Sequence, residues 1–287
     1  KFLQAEAVPH HDQWEKDGMV SDDIWLKAGE QGFLCPTVPE EYGGVGVDFR
    51  YNCIVNEEIG HAGCTGLGWT LHSDIAVPYI VRYGSEEQKQ RFLPRCVSGE
   101  LITAIAMTEP SAGSDLQGTK TTAVLDGDEW VLNGSKTFIT NGQKSGLVIV
   151  VAKTNVDAGS KGISLFLVEA DTPGFTKGKN LEKLGLKAQD TSELFFQDVR
   201  IPKDNLLGEE GRGFIYLMQD LPQERLSVAV SANGMCQAVM QTTIDYVKER
   251  KAFGTNVASF QNTQFKLAEL SAEVSCAEVY LDRCTEL

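Results

Sequence analysis

Between residues 102 and 205 short runs rich in Val, Ile, Thr and Phe, such as LVIVVAKT, GISLFLVEA and ELFFQDVRIP, alternate with Gly, Asn and Asp turns. Their length and β-branched content predict strands. On both sides the apolar spacing lengthens to that of helices. SDDIWLKAGEQGF opens with Ser21 and acidic residues in a first turn, and GSEEQKQRFLPRCVSGE repeats this start signal at Ser85. Helical spacing resumes after NLLGEEGRG. It runs from FIYLMQDL through the uncharged stretch Leu226 to Ile244 into DYVKERKAFG, and returns over 261–287. The pattern predicts an α+β multidomain chain: an α-helical domain over 1–101, a β domain over 102–206 and a second helical part over 207–287.

Composition narrows the function. The 287 residues are 42% hydrophobic, enough for a large core in a soluble globular protein. A net charge of −14 without any local Lys/Arg cluster repels phosphate backbones, so nucleic acid is not an expected partner. The 226–244 stretch carries Asn233, Gln237 and Gln241, which argues against a membrane span, and no signal peptide is visible. The seven cysteines form no C-x-x-C pair, so neither a disulfide framework nor a structural zinc is expected, and no metal site is expected elsewhere. A reducing compartment follows. All four histidines precede residue 73, so proton chemistry later in the chain falls to carboxylates, Lys or Tyr. EEYGGVGVD and LGEEGRG do not complete a dinucleotide-binding G-x-G-x-x-G, and neither a P-loop nor a G-x-S-x-G elbow occurs.

Three stretches carry candidate chemistry. In AMTEPSAGSDLQG an apolar strand ends at Thr108, and the small residues that follow make either a tight turn or a cradle of backbone amides. In LNGSKTFITNG two Asn-Gly turn signals bracket a strand whose period-two alternation puts Phe138 and Thr140 on one face. That pair suits a flat heteroaromatic ring, or Phe138 makes a cross-strand aromatic contact. In LPQERLSVAV, Glu224 and Arg225 stand at the entrance to the uncharged run, where the carboxylate is either a helix-start charge or a base.

Taken in order, EEYGGVGVD, GSEEQKQRFLP, AMTEPSAGSD, GSKTFITNG, DVRIPKDNLLG and YVKERKAFG resemble the acyl-CoA dehydrogenase family over the whole chain. The resemblance implies an α-helical N-terminal domain, a central β domain and a C-terminal helix bundle of which only the first part lies within this chain. It implies FAD, an acyl-CoA substrate, an electron-transfer flavoprotein as acceptor and a homotetramer built as a dimer of dimers. The compartment would be the bacterial cytoplasm or, in a eukaryote, the mitochondrial matrix.

By the same resemblance Ile105, Met107, Thr108 and Ser114 would line the flavin, with Ser114 turned also toward the CoA arm. Phe138, at a position often held by Trp, would stack on the ring, and Ile139 and Thr140 would lie beside it near N5. Arg250, Phe253 and Gln261 match positions that reach FAD in a neighbouring subunit; on its own Arg250 reads as a helix-end charge. Ser111 stands where the family usually has glycine.

PQERL is similar to the long-chain branch, which carries its catalytic Glu on the bundle helix. Glu224 is then the base, and Tyr216, Pro222, Gln223 and Arg225 join it around the substrate. Pro222 is expected in the first turn of its helix, with Glu224 just behind, where the dipole lowers its pKa and burial raises it. The implied reaction removes the α-proton by Glu224 as the β-hydride passes to flavin N5, leaving a trans-2-enoyl-CoA. An acyl-CoA oxidase of the same fold and a non-catalytic acyl-CoA- or FAD-binding scaffold are the alternatives. Leu287 falls inside the second long helix of such a bundle, so the chain reads as part of a longer protein.

Overall fold

The computed structural model describes residues 1–287. The N-terminal part is helical: α1 (Phe2–Glu6), α2 (Val8–Asp17), α3 (Asp23–Glu30), α4 (Arg50–His61), α5 (Val77–Tyr83) and α6 (Glu86–Ser98). At the start of α6 the Gln88 N–H donates to Ser85 Oγ at 3.2 Å and the Ser85 N–H to Gln88 Oε1 at 3.0 Å, a reciprocal cap. α3 begins one residue later than Ser21 suggested, behind Asp22, and no side chain caps its first turn. Leu71–Ala76 form a π turn that runs directly into α5, the Val77 N–H bonding to the His72 carbonyl five residues back.

The sheet contains β1 (Thr103–Ala106), β2 (Thr122–Asp126), β3 (Glu129–Thr140), β4 (Leu147–Lys153), β5 (Ile163–Glu169), β6 (Phe175–Asn180), β7 (Thr191–Pro202) and β8 (Leu206–Leu207). Their order is β6-β7-β3-β2-β4-β5-β8, with β1 parallel to β4. β4 reads LVIVVAK with no polar alternation because both of its faces are covered. Leu147, Ile149 and Val151 pack with the N-terminal helices in one core, while Val148, Val150 and Ala152 fill a second core enclosed by the sheet. One strand thus belongs to two cores, and the sheet is locked to the helical layer through it.

Two expectations change here. Asn133-Gly134 is not a turn: β3 runs unbroken through it, and its pairing with β7 shifts register between Leu132 and Gly134 and again between Lys136 and Ile139. Asn133 is occupied across the ladder with Asp198, and a Cβ on Gly134 would come 2.4 Å from Thr121 Oγ1, so the glycine serves a close strand approach at a bulge. Asn141-Gly142 does turn the chain, with Asn141 at φ 60°.

The second correction concerns Pro222. α7 spans Gly213–Glu249, and Pro222 lies more than two turns inside it. The upstream residues bury Tyr216, Leu217 and Asp220, and this packing carries the helix past one missing N–H. Glu224 is therefore far from the helix N-terminus, and the macrodipole does not act on it. Beyond α7 come a tight hairpin of β9 (Lys251–Ala252) and β10 (Thr255–Asn256), then α8 (Gln261–Glu286).

Candidate active site

α5 and the second and third turns of α7 meet along a polar seam. Tyr79, Arg82 and Tyr83 share one face of α5 at helical spacing, opposite Tyr216, Gln219, Asp220, Gln223 and Glu224 of α7. Tyr79 Oη donates to Glu224 Oε1 at 2.6 Å, Arg82 Nη2 to Gln223 Oε1 at 2.8 Å, and Tyr83 Oη to Gln219 Oε1 at 3.2 Å. Arg82 also forms an ion pair with the buried carboxylate of Asp220. The Tyr83 and Tyr216 rings stack with centroids 4.0 Å apart.

The π turn completes the seam. Pro78 has no N–H to give the carbonyl of Asp74, and Gln223 Nε2 bonds to that oxygen at 2.9 Å. The Asp74 carboxylate is itself buried and receives Asn52 Nδ2 at 2.5 Å and Asn56 Nδ2 at 2.6 Å. Burial pushes its pKa up to about 6, the two amides working against that rise.

Three acids are thus buried around this turn, and they differ in what faces them. Asp220 has the Arg82 cation, and Asp74 has two amides. Glu224, 8% exposed, has a single neutral donor on Oε1. Desolvation raises its pKa, against the Tyr79 hydrogen bond and the Arg225 charge, which lower it. A desolvated carboxylate with no cation on it and one oxygen unbound is suited to take a proton.

A second group of residues gathers where β1 and β3 end. Ile105 is buried in β1, Met107 and Thr108 follow it half-buried, and the chain then makes a tight turn in which Glu109 and Ala112 exchange both backbone hydrogen bonds. Ser114 lies exposed beyond that turn. The Thr137 N–H donates to the Thr108 carbonyl at 2.9 Å, which brings Met107–Thr108 alongside Phe138–Thr140. Phe138 is 67% exposed at φ 58°, Ile139 is buried and Thr140 half-buried. The expected simple alternation is broken at the bulge, and the left-handed backbone turns the Phe138 ring outward. An outward aromatic plane beside the Thr108, Ser114 and Thr140 hydroxyls fits an isoalloxazine ring with a hydrogen-bonding rim.

The wall has a buried support that sequence reasoning missed. Lys136 Nζ donates to Glu109 Oε1 at 2.8 Å and to the Met107 carbonyl at 3.1 Å. Glu109 also accepts from the Lys120 and Thr121 amides. Asn141, fully buried, donates to the Gly68 and Thr103 carbonyls and ties the end of β3 to the helical layer. Tyr79, Arg82, Asp74 and Asp220 were missed as well. The i, i+4 spacing of Asp220 and Glu224 and of Tyr79 and Tyr83 was their one signal, and many solvated helix faces share it.

Other expected residues stand apart. Tyr216 Oη accepts the Glu209 N–H at 3.2 Å, so Tyr216 packs as a supporting ring; Pro222 and Arg225 are exposed. Arg250, Phe253 and Gln261 are exposed around the hairpin at the far end of α7. At 1.5 Å per residue Arg250 lies about 39 Å along the helix axis from Glu224, too far to share one small-molecule site with it in the same chain.

Three family models match in chain order: acyl-CoA dehydrogenase N-terminal domain over residues 1–100, middle domain over 104–199 and C-terminal domain over 211–287. The chain is 54% identical to the mitochondrial long-chain specific acyl-CoA dehydrogenase of Mus musculus, over 100% of this chain and 67% of that protein. The crystal structure of an acyl-CoA dehydrogenase from Geobacillus kaustophilus superposes with a TM-score of 0.97 at 55% identity, over 99% of this chain and 76% of that one. A glutaryl-CoA dehydrogenase from Mycobacterium smegmatis, in complex with FADH2, superposes with a TM-score of 0.91 at 31% identity, over 100% of this chain and 72% of that one.

Proposed function

The chain belongs to the acyl-CoA dehydrogenase family, and on that premise we propose that Glu224 is the base that removes the substrate α-proton. The enzyme is an FAD-dependent oxidoreductase that converts an acyl-CoA thioester to its α,β-unsaturated product. FAD supplies the acceptor for the β-hydride. What supports Glu224 is its setting: of the three acids buried in the α5–α7 seam it alone is bonded to neither an amide pair nor an arginine, Arg225 acting on it only through its charge, and one of its oxygens is unbound. An α-proton beside a thioester is a weak acid, so its base must be desolvated and held still.

In this reading Phe138 stacks on the flavin, Thr108 and Thr140 bond to its rim, and Met107 and Ile105 form the wall behind it. The fit of an outward aromatic plane and adjacent hydroxyls supports this assignment. Ser114 reaches the thioester arm, and Gln223, anchored to the π turn, shapes the acyl side of the site. Arg250, Phe253 and Gln261 serve the flavin of a second copy. Their distance from Glu224 supports a homo-oligomer, a tetramer in this reading.

A long-chain acyl substrate, an electron-transfer flavoprotein as acceptor, and a mitochondrial matrix or bacterial cytoplasmic setting complete the reading. No helix is long and apolar enough to cross a membrane.

The test of the base is Glu224→Gln in the full-length, FAD-loaded enzyme mixed anaerobically with an acyl-CoA. The thioester still binds and perturbs the flavin spectrum, while flavin reduction slows by about 10²–10⁴-fold or more. Glu224→Asp, retracted by one methylene, keeps part of the rate. Reduction by Glu224→Gln at the rate of the unmodified enzyme would refute the assignment.

A further inference from the structure

We propose that Tyr79 is a positioning residue for the base: its phenol holds the Glu224 carboxylate in one orientation across the α5–α7 seam and leaves Oε2 as the proton-accepting oxygen. This rests on the reading of Glu224 as the base. The Oη–Oε1 distance of 2.6 Å is that of a hydroxyl bonded to a charged carboxylate. Tyr79 is 0% exposed, and its hydroxyl makes no other bond, so no solvent competes for it. The two residues are 145 positions apart, on helices that precede and follow the strands of the sheet. Their bond therefore fixes the base relative to the helical layer that covers it.

The π turn explains how Tyr79 comes to be aimed at α7. Its extra residue rotates the helix that follows by about 100°. The same turn leaves the Asp74 carbonyl to Gln223, the residue next to Glu224, so both side chains are set from one element.

The type of donor matters as much as its place. An arginine on Glu224 would hold the carboxylate anionic at the expense of its basicity, which is the situation of Asp220 beside Arg82. A phenol gives one neutral hydrogen bond, enough to orient the anion while burial keeps its proton affinity up. The other charged or titratable groups around the pair are few. Arg225 stands on the same helix and Tyr83 on α5, Arg82 is taken by Asp220, and the Asp74 carboxylate is turned to Asn52 and Asn56.

Tyr79→Phe in the full-length, FAD-loaded enzyme removes the hydroxyl and keeps the ring. Loss of one hydrogen bond to the anion moves the acid limb of the flavin-reduction profile up by about one pH unit. Below the limb, where ionisation of the base limits the rate, reduction then slows by about tenfold, and on the plateau it slows only as far as the carboxylate loses its fixed orientation. The Glu224 carboxyl band in infrared difference spectra, identified by its absence in Glu224→Gln, shifts its titration midpoint the same way whether or not the variant retains flavin. A Tyr79→Phe enzyme with an unmoved acid limb and midpoint overturns the proposal, including one that is slower by the same factor at every pH. If Glu224→Gln reduces flavin normally, the base reading fails instead, and the two failures are told apart by which variant behaves unexpectedly.

Discussion

The Lys136 ammonium lies 2.8 Å from Glu109 Oε1, both side chains closed to solvent, and the same ammonium holds the carbonyl of Met107. One ion pair thus joins the two strand ends proposed to hold the flavin. Burial lowers the Lys136 pKa to about 8, with Glu109 opposing the drop. Lys136→Met leaves Glu109 buried beside two amides with no counter-charge, and the expected loss is about 3–5 kcal/mol in urea unfolding. Adding Glu109→Gln to Lys136→Met should recover part of that loss, because a neutral amide oxygen still accepts from the backbone. Equal stability of the single and double variants would show that the charge is not what is missed.

Two buried groups close in sequence pull stability in opposite directions with pH. Asp74 is raised to about 6 by burial, so its contribution is present below its unfolded value and is lost as pH rises through 6. His72 is lowered to about 4 by burial, and as neutral imidazole it accepts the Thr103 N–H on Nδ1 and faces the Cys96 carbonyl through Nε2. Its contribution is present above its unfolded value and is lost as pH falls through 4. Each is worth roughly 3 kcal/mol at about 1.4 kcal/mol per pH unit, so between pH 4 and 6 they largely offset. Asp74→Asn should expose the His72 component. Melting temperature would then rise with pH across that interval more steeply than in the unmodified protein, and a parallel pair of curves would count against this account.

The proposed flavin wall predicts a division of labour. Phe138→Ala removes a stacked ring and should weaken flavin retention by about three- to tenfold, read by dialysis and absorbance. Thr140→Ala should slow flavin reduction more than it weakens binding. Unchanged flavin content and bleaching rate in both variants would remove these residues from the site.

Phe253 is 97% exposed at φ 53° on the tip of the β9–β10 hairpin. An aromatic ring presented this way in a strained backbone conformation is expected to be covered by a second copy. Phe253→Asp should give a smaller species in light scattering together with flavin loss, at unchanged helix content. A full-size, flavin-loaded assembly of that variant would argue against a contribution across subunits.

The chain's local patterns determined much of this protein. Runs without polar alternation, such as LVIVVAK, required a sheet buried on both faces. The Ser85–Gln88 spacing set the start of α6, and six ordered motifs carried the family and its cofactor. These features depend on neighbours in the sequence, where spacing is visible. Packing decided the rest. Pro222 resembles a helix start until buried Tyr216 and Leu217 carry α7 through it, and Asn133-Gly134 resembles a turn until Thr121 is found against its backbone. Glu224 could be proposed as the base from its motif, but its partner Tyr79 is 145 residues away, and the environment that raises its pKa exists only where α5 and α7 meet. Desolvation and long-range hydrogen bonds are properties of the folded surface, and no local spacing encodes them.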